Sequence, residues 1–326
     1  MGATGAGRFA PSPSGELHLG NLRTALLAWL FARTSGRRFL LRIEDLDDRS
    51  RPHHERRQIE DLAAIGLDFD GPAVRQSERR AAYTDAVDSL RRRDLVYPCF
   101  CTRQEIRDAP RAPHAPPGAY PGTCRNLSAA TQARRCRDKP PAWRLRTDGG
   151  EQGYDDALLG HVAGVLDDFV LLRGDGVPAY NLAVVVDDGQ MGIDQVVRGD
   201  DLASSTPRQR HLAELLGYAV PEYAHVPLAL NAAGARLAKR DGAVTLSQLV
   251  GDGIGGEMVL GVLAQSLGLA EPGEAVSLAQ LASRFDPARL PRQPWVVQPA
   301  ELFGAQGRLG GLCAEHPGGF VEHLDG

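Results

Sequence analysis

The stretch from Arg8 to Ile43 constrains the fold most. Residues 8–13 (RFAPSP) form a short segment with two prolines, and residues 11–23 read PSPSGELHLGNLR. A helical pattern starts near His18. It runs through Leu22, Leu26, Trp29 and Leu30 at spacings of three and four, with Gly36 just past its end. Phe39 to Ile43 (FLLRI) reads as a buried strand that enters the acidic turn Glu44-Asp45-Leu46-Asp47-Asp48. Strand, Gly-rich turn, helix and strand in series predict α/β architecture. Helices are predicted over 53–65, 79–92, 245–267 and 277–284. A further helix over 206–217 has Pro207 in its first turn and Gly217 after its end. Strands are predicted over 167–173 and 183–187.

Length and charge narrow the class. The 326 residues suit about two domains at roughly 100–200 residues each. With 37 Lys+Arg against 41 Asp+Glu, the net charge of −4 excludes a bulk cationic nucleic-acid binder. With 43% hydrophobic and 24% charged residues the chain is globular in composition. No run of about 20 apolar residues exists, so no membrane partner is expected. The N-terminus lacks the basic and apolar regions of a secretory signal, and a cytoplasmic location is the expectation.

Two segments suit phosphate chemistry. Free N–H groups at the helix start near His18 attract phosphate, and Gly15 and Gly20 allow close backbone approach. Taken alone, a His and a Gly at a helix start are more often structural. The second segment is Gly234-Ala235-Arg236-Leu237-Ala238-Lys239-Arg240, which taken alone is a solvated basic loop. Against that stands lysine scarcity: Lys139 and Lys239 are the only lysines beside 35 arginines. A compact ammonium suits transient charge on a phosphoryl group.

Residues 97–143 hold four of the five cysteines and eight of the 22 prolines. In a reducing compartment, clustered cysteines are metal ligands more often than disulfides. From chemistry alone, Cys99, Cys101, Cys124 and Cys136 are the favoured tetrahedral zinc set, and Tyr120 is the alternative fourth ligand.

PSPSGELHLGN resembles the H-I-G-H signature of class I aminoacyl-tRNA synthetases, and Arg236 to Arg240 resembles their K-M-S-K-S loop. The glutamyl/glutaminyl branch adds three motifs, present here as Arg8–Pro13 (RFAPSP), Arg42–Asp47 (RIEDLD) and Val196–Leu202 (VVRGDDL). Ser205 to Gln209, Gly66 to Gly71 and Gln76-Ser77 also fit. The resemblance covers roughly residues 8–250. C-x-C followed by Y-x-x-x-C resembles the zinc site of the truncated, queuosine-directed members, and so implies Tyr120 as the fourth ligand. The 87 residues after Lys239 cannot hold a complete anticodon-binding region.

The resemblance implies an α/β, Rossmann-like parallel-sheet catalytic domain in two halves, 1–96 and 144–243. A zinc-binding insertion spans 97–143 and a short helical C-terminal region spans 244–326. It implies activation of L-glutamate by ATP with Mg²⁺, independent of tRNA, followed by transfer of glutamate to queuosine in the anticodon stem-loop of tRNA(Asp). His18, Gly20, Asn21 and Lys239 would handle ATP, with His18 and Lys239 catalytic. Arg8, Ala10, Ser12, Glu44, Tyr180 and Arg198 would bind glutamate. A structural zinc would sit on Cys99, Cys101, Tyr120 and Cys124, and a monomer is expected. Arg91 to Arg93 and the pair Arg208 and Arg210 are candidate phosphate contacts. Arg236 and Ala238 depart from the second signature, and the missing Ser hydroxyl removes one phosphate contact. The alternative reading is a truncated glutamyl- or glutaminyl-tRNA synthetase that charges a 3′ end.

Overall fold

The computed structural model describes residues 5–108, 119–237, 244–298 and 302–303. β1 (Ala6–Phe9) leads into α1 (Leu19–Thr34), β2 (Arg38–Ile43), α2 (Pro52–Ala64), β3 (Val74–Arg75) and α3 (Arg80–Arg92). There follow β4 (Val96–Cys99), α4 (Arg103–Asp108), α5 (Ala129–Asp138), β5 (Ala142–Leu145), β6 (Glu151–Asp156), β7 (Gly160–Val165) and β8 (Val170–Leu172). Next come α6 (Tyr180–Met191), β9 (Ile193–Gly199), α7 (Thr206–Leu216), β10 (Glu222–Val226) and β11 (Ala229–Leu230). α8 (Leu246–Gly251), α9 (Gly256–Ser266), α10 (Leu278–Arg284) and β12 (Trp295–Val296) close the described chain.

A seven-stranded sheet runs in the order β3-β2-β1-β9-β10-β6-β7. Every neighbouring pair is parallel except the β6–β7 hairpin. The chain leaves β1 toward β2 and β3 on one side and returns as β9 on the other. A crevice therefore opens at the carboxyl ends of β1 and β9, where α/β sheets bind ligands. β4, β5 and β8 form a separate antiparallel sheet.

α1 is buried on most of its faces from Leu19 to Ala32, as expected of a helix with apolar residues all round. It packs between the main sheet and helices α9 and α10. No described helix is long and apolar enough to cross a membrane.

Three expectations need correction. Ala183–Asp187 is not a strand but the middle of α6, with Leu182 to Asp188 all buried. A short continuous apolar run shows no period, so a helix buried on both faces imitates a strand. Gly192 ends α6 in the left-handed region at φ +68°. The helical stretch 245–267 is two helices, α8 and α9, separated by a turn that contains Gly253 at φ +83°. The strand expected over 167–173 contracts to Val170–Leu172.

Candidate active site

A pocket of about 520 Å³ fills the crevice between β1 and β9. Arg8, Ala10, Ser12, His18, Gly20, Asn21, Glu44, Tyr180 and Arg198 all line it, so residues up to 190 positions apart in sequence share one cavity. Lys239, the remaining expected ATP contact, lies outside the described residues.

At one end, His18 is the N-cap of α1. Its Nδ1 accepts the Asn21 backbone N–H at 3.3 Å, while the Asn21 side-chain oxygen accepts the His18 backbone N–H at 3.2 Å. This reciprocal capping box satisfies two helix-start donors and accounts for Asn at position 21. It also fixes the ring: with Nδ1 accepting, neutral His18 carries its proton on Nε2. Gly20 sits in a tight contact. A Cβ there would meet the Ala229 Cβ at 3.0 Å and the His18 ring at 3.1 Å. The turn thus packs directly on β11, the strand that leads to the basic loop.

That loop is tied at both described ends. Leu237 N donates to Ala229 O at 3.3 Å, and Leu19 N donates to Val244 O at 3.3 Å. Arg236 lines the pocket and its Nη1 pairs with Asp201 Oδ2 at 2.6 Å. The arginine that replaces the first signature lysine is thereby bound to the VVRGDDL segment.

The other end is a buried charge network. Arg42 is fully buried, and its Nη1 lies 2.6 Å from Asp188 Oδ1. The same carboxylate takes Arg8 Nε at 3.2 Å, and Arg42 Nη2 reaches Glu44 Oε1 at 3.2 Å. Burial works against the Asp188 anion, yet Arg42 and Arg8 hold its carboxyl below the usual range. For Glu44 burial outweighs the neighbouring cations. Burial pushes its carboxyl above the usual range despite Arg42 and Arg8, so a further cation placed beside it in the pocket would favour its anion. Neighbouring Asp187 accepts from Arg79 Nε at 2.6 Å, Gln76 Nε2 at 2.8 Å and Tyr83 OH at 2.9 Å.

Arg198 differs from Arg8 and Arg42. It is 5% exposed, and its hydrogen-bond partners are His225 Nε2 at 3.1 Å, Thr206 Oγ1 at 2.7 Å and Tyr180 OH at 3.4 Å. All three are uncharged at neutral pH. A buried guanidinium without a carboxylate partner is matched by an anionic ligand.

A second cleft of about 660 Å³ adjoins the first. Ser12, Glu44 and Tyr180 line both. The cleft continues to Cys99 and Cys101 at the foot of residues 97–143. There the thiols of Cys99, Cys101 and Cys124 lie within 4.8 Å of one another. The Tyr120 hydroxyl sits 3.3 Å from Cys99 Sγ and 3.6 Å from Cys101 Sγ, and Cys101 and Cys124 Sγ are 3.5 Å apart. Zn–S bonds of about 2.3 Å in a tetrahedron place sulfurs about 3.8 Å apart, with oxygen slightly closer. Cys99, Cys101, Tyr120 and Cys124 therefore fit a zinc ion. Cys136 is exposed on α5 and is not in the cluster.

Of the arginines expected to contact phosphate, several have partners within the chain. Arg91 pairs with Asp88 at 3.0 Å and stacks on Trp143 at 3.8 Å. Arg208 pairs with Asp167 at 2.5 Å, and Arg210 with Glu214 at 3.8 Å.

Three residues that the motifs do not single out shape the site: Asp156, Asp188 and His225. Their partners are distant in sequence or are unremarkable in type. One usable signal existed for Asp188, since two acids closing an apolar run are rarely buried without arginine partners.

The chain is similar to known proteins over most of its length. Residues 6–302 match the family model described as tRNA synthetases class I (E and Q), catalytic domain. The chain is 62% identical over 294 residues to the glutamyl-Q tRNA(Asp) synthetase of Nocardia farcinica, covering 90% of this chain and 93% of that protein. It is 50% identical over 310 residues to the protein of that name from Cutibacterium acnes, covering 93% and 87%. The glutamate–tRNA ligase of Nitrosospira multiformis is 41% identical over 309 residues, but the match spans 64% of that longer protein. A solved glutamate tRNA ligase from Elizabethkingia meningosepticum, in complex with its amino acid, superposes with a TM-score of 0.78 at 30% identity, covering 92% of this chain and 68% of that one. The chain belongs to the class I tRNA synthetases of the glutamate and glutamine branch and, within it, to the glutamyl-Q tRNA(Asp) synthetases.

Proposed function

We propose that the crevice activates L-glutamate with ATP, without tRNA, and that the adjoining cleft receives queuosine of the tRNA(Asp) anticodon for the transfer step. The observation that carries the first half is the pairing of opposite needs in one pocket. Arg198 is a buried cation with neutral partners, and Glu44 is a partly buried carboxylate that Arg42 and Arg8 do not fully offset. An amino acid with a second carboxylate meets both. Its ammonium would lie against Glu44 and its side-chain carboxylate against Arg8 and Arg198, with Ser12, Ala10 and Tyr180 completing the wall. Arginine suits bidentate carboxylate recognition.

In the reaction, an oxygen of the glutamate α-carboxylate attacks the α-phosphorus of ATP. An acyl–phosphate bond forms as the bond to pyrophosphate breaks. The carboxylate is already anionic, so no general base is needed, and the protein acts by positioning and by neutralising charge. His18 Nε2–H and the start of α1 donate to phosphate oxygen, Gly20 and Asn21 shape the adenosine side, and Lys239 meets the developing charge. Mg²⁺ brought in with the nucleotide would add charge neutralisation on the phosphates. A hydroxyl of the acceptor nucleoside then attacks the acyl carbon and AMP leaves.

The names of the relatives supply the acceptor. The shared wall of the two clefts, Ser12, Glu44 and Tyr180, supports a short path for the transfer. Between residues 97 and 143 there are eight Lys+Arg against three Asp+Glu, a local basic excess in an acidic chain that suits an RNA backbone. Zinc on Cys99, Cys101, Tyr120 and Cys124 would brace that segment.

The test is pyrophosphate exchange into ATP with a panel of amino acids and no tRNA. Exchange supported by glutamate and not by glutamine or aspartate is expected. Exchange only after tRNA is added would favour an ordinary synthetase that charges a 3′ end.

A further inference from the structure

His225 and Arg198 are direct partners on the parallel strands β10 and β9. The imidazole is fully buried, and its Nδ1 lies 2.6 Å from Asp156 Oδ2. The Asp156 carboxylate also accepts the backbone N–H groups of Leu158 at 2.9 Å, Leu159 at 3.0 Å and His225 at 3.1 Å. Burial opposes ionisation of this acid, but the donors prevail and hold its carboxyl below the usual range. An anion facing Nδ1 places the ring proton there. Nε2 is then a lone pair, 3.1 Å from the Nε–H of Arg198 and 3.2 Å from Thr206 Oγ1.

We infer that His225 is a positioning residue for glutamate activation: held as the neutral Nδ1–H tautomer by Asp156, it aims the Arg198 guanidinium at the substrate carboxylate. This rests on the glutamate reading above and explains how a pocket cation is kept both buried and available. A carboxylate in direct contact with Arg198 would compete with the substrate for it. The imidazole instead accepts one N–H without adding charge, and Asp156 supplies the counter-charge one ring further back. Thr206 takes a second N–H at 2.7 Å, which fixes the guanidinium plane. Tyr180 OH takes a third at 3.4 Å, and Arg198 lines the pocket with the two N–H groups that are left.

The surroundings keep His225 neutral. Asp156 faces it from β6, Arg198 from β9 and Arg8 from β1, with Asp200 just beyond β9; the Tyr154 and Tyr223 rings pack at 5.9 and 6.0 Å. Burial, Arg198 and Arg8 lower its basicity, and Asp156 opposes them in part. Protonation would turn Nε2 into a donor aimed at another donor, so glutamate binding should weaken at acid pH.

Two substitutions separate positioning from bulk structure. Asn at 225 can still donate to Asp156 but has no atom at the Nε2 position, whereas the carbonyl oxygen of Gln reaches there. In glutamate-dependent pyrophosphate exchange, His225→Asn should raise the glutamate KM about 10–100-fold, the scale of one hydrogen bond to a charged group. The ATP KM should stay within about two-fold on that scale, and His225→Gln should recover most of the loss. Equal rises in both KM values, or no rise in a folded variant, would overturn the inference. Nitrogen-15 NMR of histidine-labelled wild-type protein gives a readout that needs no variant and no activity. Protonated Nδ1 with unprotonated Nε2 is expected for His225, and the opposite tautomer would overturn the inference. If wild type shows that tautomer but no exchange with glutamate, the functional reading fails and not the geometry of the relay.

Discussion

Arg42 Nη1 and Asp188 Oδ1 lie 2.6 Å apart with the arginine fully buried, and the same carboxylate holds Arg8 at 3.2 Å. One acid thus anchors two cations, one of them in the pocket wall. Removing it leaves both charges without their shared partner. Asp188→Asn should destabilise the fold by about 3–5 kcal/mol, the cost of breaking a buried pair. In variants that remain folded it should raise the glutamate KM, because Arg8 loses its anchor. Thermal unfolding together with exchange kinetics checks both outcomes; an unchanged melting temperature would contradict the network.

His18 serves two purposes that substitutions can separate. His18→Ala removes the cap, at about 1 kcal/mol, and also the Nε2 donor, which should slow exchange about 100-fold or more. Asn is a good N-cap, so His18→Asn should restore stability while exchange stays slow. Recovery of exchange by His18→Asn would mean that the histidine acts only as a cap.

Elemental analysis of purified protein should find about one zinc per chain. Cys136→Ser should leave that value unchanged, since the side chain is exposed and outside the thiol cluster. Tyr120→Phe should weaken retention against a chelator, and Cys99→Ala should abolish it. Loss of zinc on Cys136→Ser would restore the four-cysteine set.

Asp61 gives a pH prediction. It is 1% exposed, and burial raises its carboxyl to about 6, although Arg57 Nε lies 3.2 Å away. The folded state therefore holds this proton between the unfolded value near 3.9 and about 6. The contribution of Asp61 to stability is greatest below that window and is lost as pH rises through it. Asp61→Asn should stabilise the protein at pH 8 by on the order of 1–2 kcal/mol and have little effect at pH 4. Chemical denaturation at the two pH values measures this, and equal effects at both would contradict it.

The site was legible where its chemistry is written in contiguous segments. RFAPSP, HLGN, RIEDLD and VVRGDDL each sit at the end of a strand or the start of a helix, so the sequence order of motifs places them around one crevice. The clustering of Cys99, Cys101 and Cys124 is legible for the same reason, whereas Tyr120 enters only through the family resemblance, since chemistry alone favours Cys136. The second layer was not. Asp188 meets Arg8 across 180 residues, and Asp156 meets His225 across 69. Nothing local marks a residue whose partner is brought by sheet order. α6 was misread because its valine run is buried on both sides, which removes the alternation that distinguishes helix from strand.

The most direct test of the account uses an RNA with no acceptor end. The anticodon stem-loop of tRNA(Asp), with and without queuosine, is incubated with the protein, ATP and labelled glutamate. The account predicts label on the queuosine-containing stem-loop and none on the unmodified one. Label on neither stem-loop, with label on the 3′ end of full-length tRNA(Glu) or tRNA(Gln), would contradict it.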